Sequence, residues 1–571
     1  MEDSKTIAAH KQQQNKKHKQ NEEYQNLTDI EEHKRQPIAL ANILDQMRID
    51  SNIDGGAQTD KAQVQDQVQI DTTQNSAASN GHAEEEEVKE KNLTAEEEEE
   101  EKKFFESQLD KIDSSLAVRE ENDIRIAVIG NVDSGKSTLV GVLTKGIMDD
   151  GRGSARMKVF NFGHEAQNGR TSSIGQEIMG FDDTKRQVEV ERANATKNQS
   201  WAHIATNSKK LITFLDLCGH EKYLKTTMFG LVGLLPDYSM IIVGANMGVS
   251  RMTKEHLGIS LALKVPIFIV ITKIDIAPQS VYEQTKDTLV KILKSPGCGK
   301  MPVLVKDDDD ISVFANSLAA DKLTPIFTIS NVTGEGVPKL KEFMSLLQSR
   351  IHMSGHFKKP TDPVEFMIDG VYQVTGVGLV VAGTLKAGSV LPGTVLLLGP
   401  DKTGKFNPVV VKSIHHKRTP VDVAVSGQAV CFNIKAQDSK KLQLKRTHFR
   451  KGMVLLDKNS NPQSIYDFEA EVVILHHATT IKTNYQAVVH CGVIRQAAKV
   501  LDMNKDLLRT GDKGHVKFKF MYRPEYLKPG TTILFREGRT KGLGVVTQVI
   551  PPTQDVKASG QGSKHFKVPK E

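Results

Sequence analysis

Between about residues 122 and 350, short apolar runs alternate with longer mixed segments. The runs Ile124–Ile129, Leu211–Leu215, Met240–Val243, Ile267–Ile271 and Ile326–Ile329 are continuous rather than alternating, and rich in β-branched residues. Strands buried on both faces of a mostly parallel sheet have this pattern. Helical spacing between them, as in Ser137–Lys145 and Val281–Leu293, supplies the crossovers. The expectation is an α/β fold, a doubly wound domain over 122–355. From about 361 to 552 short β-rich runs sit between glycine turns, first Gly376, Gly378, Gly383, Gly388 and Gly393, then Gly511, Gly514, Gly530, Gly538, Gly542 and Gly544. Spacing this tight predicts small antiparallel β-barrels. The length suits two, over 361–460 and 465–552, with the break at the polar turn Asn459–Ser464.

Residues 1–120 carry neither pattern. They are rich in Gln, Asn, Glu and Lys, with the runs Glu84–Glu87 and Glu96–Glu101. Such chain buries too little apolar area to offset its ordering entropy, so a disordered acidic tail is expected. Phe105, Leu109, Ile112 and Leu116 form one helical stripe, which predicts a short helix at about 105–116. Residues 553–571 read as a polar, flexible tail.

Composition narrows the classes. Four cysteines in 571 residues, with no CxxC pair, argue against a disulfide scaffold or a cysteine zinc site. No apolar run reaches the roughly 20 residues that cross a bilayer, and no secretory signal is visible. A cytoplasmic monomer without membrane attachment is expected. The net charge of +6 conceals a split: residues 1–120 hold 15 Lys/Arg and 28 Asp/Glu, leaving 76 − 15 = 61 bases and 70 − 28 = 42 acids in the rest, a surplus of +19. Residues 361–571 alone hold 31 bases against 17 acids, or +14. A basic body favours a polyanionic partner such as RNA.

The most specific signal is Gly130-Asn131-Val132-Asp133-Ser134-Gly135-Lys136-Ser137, followed by Thr138. It fits G-x-x-x-x-G-K-[ST] and stands between an expected strand and an expected helix, the context that gives the motif meaning. Its glycines let the loop curl so that successive N–H groups face a phosphate, with a helix N-terminus behind them. Lys136 places a point charge on the β and γ phosphates, and the Ser137 hydroxyl can ligate Mg²⁺. Asp216-Leu217-Cys218-Gly219 ends a second strand: Asp216 can hold the same ion through a bound water, and the Gly219 N–H can meet the γ-phosphate. Thr272-Lys273-Ile274-Asp275 ends a third. The Asp275 carboxylate can accept from the guanine N1–H and N2–H₂, a donor pair adenine lacks, and the Lys273 stem can cover the base. Ser330-Asn331-Val332 ends the last strand and can donate to guanine O6. Four elements in this order at strand carboxyl ends describe a GTP/GDP site.

These residues resemble the translational GTPases of the elongation factor Tu and elongation factor 1-alpha superfamily, over about 122–552. The stretches GNVDSGKSTLVGVLTKG (130–146), GRTSSIGQEIMGFD (169–182), DLCGHEKYLKTTMFGL (216–231), ITKIDIAP (271–278) and ISNVTGEG (329–336) resemble in particular the GTP-binding protein 1 and GTP-binding protein 2 subfamily. The resemblance implies a GTPase domain followed by two barrels. It implies that Thr171, in the first switch, ligates Mg²⁺ and covers the γ-phosphate, and that His220 positions the attacking water. It also implies a monovalent cation near Asp133, and aminoacyl-tRNA and the ribosome (rRNA) as partners. The subfamily points to ribosome rescue or surveillance more than to bulk elongation. A competing class is a GTP-switched adaptor that recruits mRNA-decay proteins. Two positions depart from the family pattern. Thr272 replaces an Asn, which predicts a weaker tether on the phosphate loop. Arg170 replaces an apolar residue beside the histidine, which puts a cation near the reacting phosphates. Lys417, Arg418, Lys445, Arg446, Arg450, Lys451, Arg495, Arg536, Arg539 and Lys541 are candidate RNA-phosphate contacts. His415, His416, His476, His477 and His490 lack metal-ligand spacing and read as core or RNA-facing.

Overall fold

The computed structural model describes residues 123–190, 196–350, 359–438, 446–537 and 540–551. The acidic stretch 1–120, the helix expected at 105–116 and the tail 553–571 lie outside the described residues.

β1 (Asp123–Gly130) lies inside a seven-stranded sheet in the order β2-β3-β1-β4-β5-β7-β6. The other strands are β2 (Gly175–Phe181), β3 (Lys210–Asp216), β4 (Tyr238–Gly244), β5 (Ile267–Thr272), β6 (Met301–Leu304) and β7 (Leu323–Thr328). All neighbours are parallel except β2, which runs antiparallel to β3. Successive side chains of β1 enter two different cores. Ile124, Ile126 and Val128 pack with α1 (Lys136–Lys145), α8 (Asp310–Ser317) and α9 (Val337–Leu346). Ala127 and Ile129 pack with α5 (Leu224–Gly233), α6 (Arg251–Ala262) and α7 (Gln279–Lys294). Burial on both faces explains the unbroken apolar runs. The remaining helices are α2 (Ser154–Met157), α3 (Gly163–Asn168) and α4 (Lys197–Asn207). The strand order reverses at β1, whose neighbours are β3 and β4, and this opens the crevice where such sheets bind ligands.

Two antiparallel barrels follow. The first ring runs β11 (Val395–Gly399), β16 (Val454–Asp457), β8 (Glu365–Val374), β9 (Gly378–Ala387), β15 (Ala429–Ala436) and β12 (Asn407–His416), and β11 pairs with β12 to close it. A short β13 (Thr419–Val421) extends β12, and β10 (Ser389–Val390) pairs with β14 (Ala424–Val425). The second closes as β17 (Asp467–His476), β20 (Lys513–Phe520), β19 (Ile494–Met503), β18 (Gln486–Cys491), β21 (Thr532–Glu537) and β22 (Thr540–Ile550). Closure removes the open edges that strands this short would otherwise expose.

Several of the basic candidates tie the barrels to the α/β domain or to each other, and Lys417, Arg450, Arg536 and Lys541 are taken up by carboxylates there. The turn between β12 and β13 places Lys417 Nζ 3.1 Å from Asp123 Oδ2 and lets it donate to Thr213 Oγ1 at 2.5 Å. Arg418 lies over the Trp201 ring, 4.9 Å from its centroid, and bonds Asn198. Arg450 pairs with the buried Glu525 at 2.7 Å, joining the barrels. Lys451 covers the Phe229 ring at 5.1 Å, and Arg536 and Lys541 both meet Glu255 of α6. A charge surplus read from sequence does not distinguish a base facing solvent from one answering a carboxylate across an interface. Of the ten candidates, Arg418, Arg446, Lys451 and Arg495 are exposed, while Lys445 and Arg539 lie outside the described residues. His490 is also internal: it is 1% exposed, and burial pulls its imidazole down to about 3.

Candidate active site

The loop after β1 turns sharply before α1. Gly130 (φ 150) passes so near the Ile242 carbonyl that a Cβ would collide with it. Asp133 (φ 58) and Gly135 (φ 87) take left-handed conformations, and Gly135 caps α1. Ser134 Oγ donates to the Asn131 carbonyl at 2.9 Å, and Lys136 Nζ reaches the same oxygen at 2.5 Å, so the lysine folds back over its own loop. Burial pulls the Lys136 ammonium below its ordinary value, with Asp216 acting the other way. Gly219 faces that ammonium so closely that a Cβ would lie 2.5 Å from Nζ. The loop, Thr138, Gly169–Thr171, Gly219 and His220 line one open cleft, and Arg156 completes its wall.

The three residues expected to hold a metal converge. Ser137 Oγ donates to Asp216 Oδ2 at 2.6 Å and lies 2.7 Å from Thr171 Oγ1, which is itself 3.4 Å from Asp216 Oδ2. Asp216 Oδ1 is buried with no hydrogen-bond partner. Burial pushes this carboxyl up to about 6, against the Ser137 hydrogen bond and the Lys136 charge. His220 stands exposed on the rim, its Nδ1 accepting the Lys222 N–H at 3.0 Å. A neutral ring in this arrangement carries its proton on Nε2. Arg170 faces Asp133 at 3.8 Å, so a guanidinium answers the charge for which the resemblance implies a monovalent cation. Both partners are half exposed, and the pair contributes little to stability.

The base-side elements meet the loop at Gly135. Thr272 Oγ1 donates to the Ser134 carbonyl at 2.7 Å. At the end of β5 the shorter side chain still reaches the loop, so one hydroxyl hydrogen bond tethers it. Asn331 Nδ2 lies 3.3 Å from where a Gly135 Cβ would stand. Lys273 is left-handed (φ 62), Asp275 and Val332 are exposed, and Ser330 Oγ accepts from the N–H groups of Val332 (3.2 Å) and Thr333 (3.1 Å). The Ile329 N–H donates to the Ile271 carbonyl at 2.8 Å, which keeps the two motifs side by side.

Residues 121–350 match the family model described as the elongation factor Tu GTP binding domain. The chain is 48% identical over 446 residues to GTP-binding protein 1 of Xenopus laevis, covering 78% of this chain and 66% of that one. It is 45% identical over 429 residues to GTP-binding protein 2 of Homo sapiens, covering 75% and 69%. The chain belongs to the translational GTPases. Among solved structures, a bacterial selenocysteine-specific elongation factor shares the fold, with a TM-score of 0.51 at 18% identity over 74% of this chain and 58% of that one. Binding of GTP and GDP, and GTP hydrolysis, go with membership of this family.

Motif spacing missed two residues in this GTPase. Glu165, 1% exposed, accepts from the N–H and hydroxyl of both Ser172 and Ser173 at 2.8–3.0 Å, and from the N–H groups of Asn161 and Phe162. Burial works to raise its carboxyl, but these bonds together hold it below the ordinary value. It thus knots the segment just after Thr171. Arg156, in the cleft wall, is the other. Neither belongs to a short motif. Their only sequence signal is a charged residue within a glycine-rich stretch close to Thr171.

Proposed function

We propose that this GTPase binds GTP with Mg²⁺, carries aminoacyl-tRNA and acts at the ribosome, in rescue or surveillance, hydrolysing GTP to GDP and phosphate. The observation that carries the reading is the meeting of Ser137, Thr171 and Asp216 beside Lys136, three elements far apart in sequence joined by hydrogen bonds of 2.6–3.4 Å. Two hydroxyls and a carboxylate are hard oxygen donors, and the partnerless Asp216 Oδ1 leaves an acceptor free, so the set fits Mg²⁺. Ser137 and Thr171 would hold the ion directly and Asp216 through a water; once bound, it neutralises charge on the β and γ phosphate oxygens. Lys136 binds those oxygens from the loop side. Asp275 reads the guanine edge, Lys273 covers its face, and the Ser330–Val332 turn offers N–H donors to O6. His220 orients the attacking water from the rim. Thr171 couples the terminal phosphate to the segment knotted by Glu165, so loss of that phosphate frees the switch.

The supports for the tRNA role are the family resemblance, the pair of barrels and the exposed Arg446 and Arg495. Its test is binding of charged against uncharged tRNA to the full chain with GTP and with GDP. Tighter binding of charged tRNA with GTP is expected. Equal binding in all four conditions refutes delivery and favours the adaptor that recruits mRNA-decay proteins.

A further inference from the structure

Arg156 is the cleft residue that no nucleotide motif accounts for. The turn carrying it is built on the Asp149 carboxylate, which accepts the N–H groups of Gly151 (3.0 Å), Gly153 (3.1 Å) and Ala155 (3.0 Å). α2 lies directly on α1, where a Cβ on Gly141 would collide with the Ala155 carbonyl. The guanidinium is bracketed by two left-handed glycines. A Cβ on Gly153 (φ 98) would fall 2.5 Å from Arg156 Nε, and one on Gly169 (φ 64) would fall 3.3 Å from Nη2. Side chains at these positions would displace the group, and Gly169 is two residues before the switch residue Thr171.

The other cations of the cleft have protein partners: Lys136 has the Asn131 carbonyl, and Arg170 has Asp133. Arg156 has none of this kind. Its Nε is buried without a hydrogen bond, and no carboxylate stands within ion-pair distance among the described residues. An orphaned donor on a charged group costs stability unless a ligand answers it. A planar fork of five donors on the wall of a phosphate cleft suits phosphate oxygens.

Resting on the GTPase reading above, we infer that Arg156 is a nucleotide-binding residue outside the known motifs, its guanidinium donating to the phosphate chain from beneath the Gly169–Thr171 switch. The arrangement places the fork where a side chain at position 169 would stand, so the switch approaches it only because that position is glycine.

The test is calorimetric titration of GTP and of GDP into the full chain, wild type against Arg156→Met, which keeps the apolar stem, and Arg156→Lys, which keeps the charge. R156M is expected to weaken binding about tenfold or more, the range of a lost charge-assisted hydrogen bond, and R156K to stay within about threefold of wild type. Loss for both nucleotides places the contact on the α or β phosphate, and loss for GTP alone places it on the γ phosphate. Either result supports the inference. R156M binding both nucleotides like wild type overturns it, as does an equal loss in R156M and R156K, which would mean that shape rather than charge matters. A wild-type chain that takes up neither nucleotide sinks the GTPase reading as well. Normal wild-type binding with R156M unchanged sinks this inference alone.

Discussion

Asp216→Asn should stabilise the nucleotide-free fold while disabling the site. The Asp216 carboxyl is 5% exposed, and burial raises it from 3.8 to about 6 although Ser137 and Lys136 act in the opposite direction. The folded value lies above the unfolded one, so the folded chain holds this proton more tightly. That contribution to stability is complete below about pH 3.8 and is lost as pH rises through about 6. At pH 7.5 the nucleotide-free fold therefore carries a buried ionised carboxylate with one oxygen unpartnered, at a cost of about 3 kcal/mol for roughly two pH units. The amide has no charge to desolvate. The variant should gain up to that amount, or about 6–12 °C of melting temperature in a domain of this size, and the gain should shrink as pH is lowered to 5. With GTP and Mg²⁺ the order should reverse, because the carboxylate is then answered in the wild type and missing from the variant. Calorimetric melting of both proteins between pH 5 and 8, with and without nucleotide, measures each quantity. A nucleotide-free variant that melts below wild type at pH 7.5, or a difference constant across the range, refutes the reasoning.

His220→Ala should lower ribosome-stimulated GTP turnover by about a hundredfold or more, the range for a lost general acid–base or water-positioning group, with GTP affinity unchanged; equal turnover rejects the role. Thr272→Ala leaves the Ser134 carbonyl unanswered and should weaken GTP and GDP alike by about 1–3 kcal/mol, read by titration. Asp275→Asn should shift preference from GTP to xanthosine triphosphate, whose C2 carbonyl replaces the amino donor of guanine, and competition binding measures the shift. Lys417→Ala removes a counter-charge from Asp123, whose carboxyl burial works to raise and Lys417 and His416 together hold below the ordinary range. Denaturant melts should show a loss of about 3–5 kcal/mol, largely recovered in the double variant Asp123→Asn, Lys417→Met.

β1, β3, β4, β5 and β7 are legible in the sequence because each is covered on both faces, which leaves an unbroken apolar run. β2 and β6 lie at the sheet's edges; β6 is only partly covered, and its four residues include an exposed Met301, so neither stands out by pattern. The phosphate loop and the Asp216 and Thr272–Asp275 segments are legible because phosphate and guanine demand particular residues at fixed offsets. Arg156 and Glu165 are not, since their partners are set by how the chain between α1 and β2 folds back. The same limit applies to the barrels' bases: Lys417 reads as surface charge until the β12–β13 turn is seen against Asp123.

The apolar cluster behind α5, α6 and α7 is completed by Val473, Leu475 and Leu534 of the second barrel. The part of that cluster facing the barrel is left open to water if the barrel is removed. A chain cut after residue 350 would expose those helices' greasy flank, and self-association or insolubility of such a fragment is the expected result. Helix α5, which follows the rim carrying His220, is thus seated on a wall that another domain supplies.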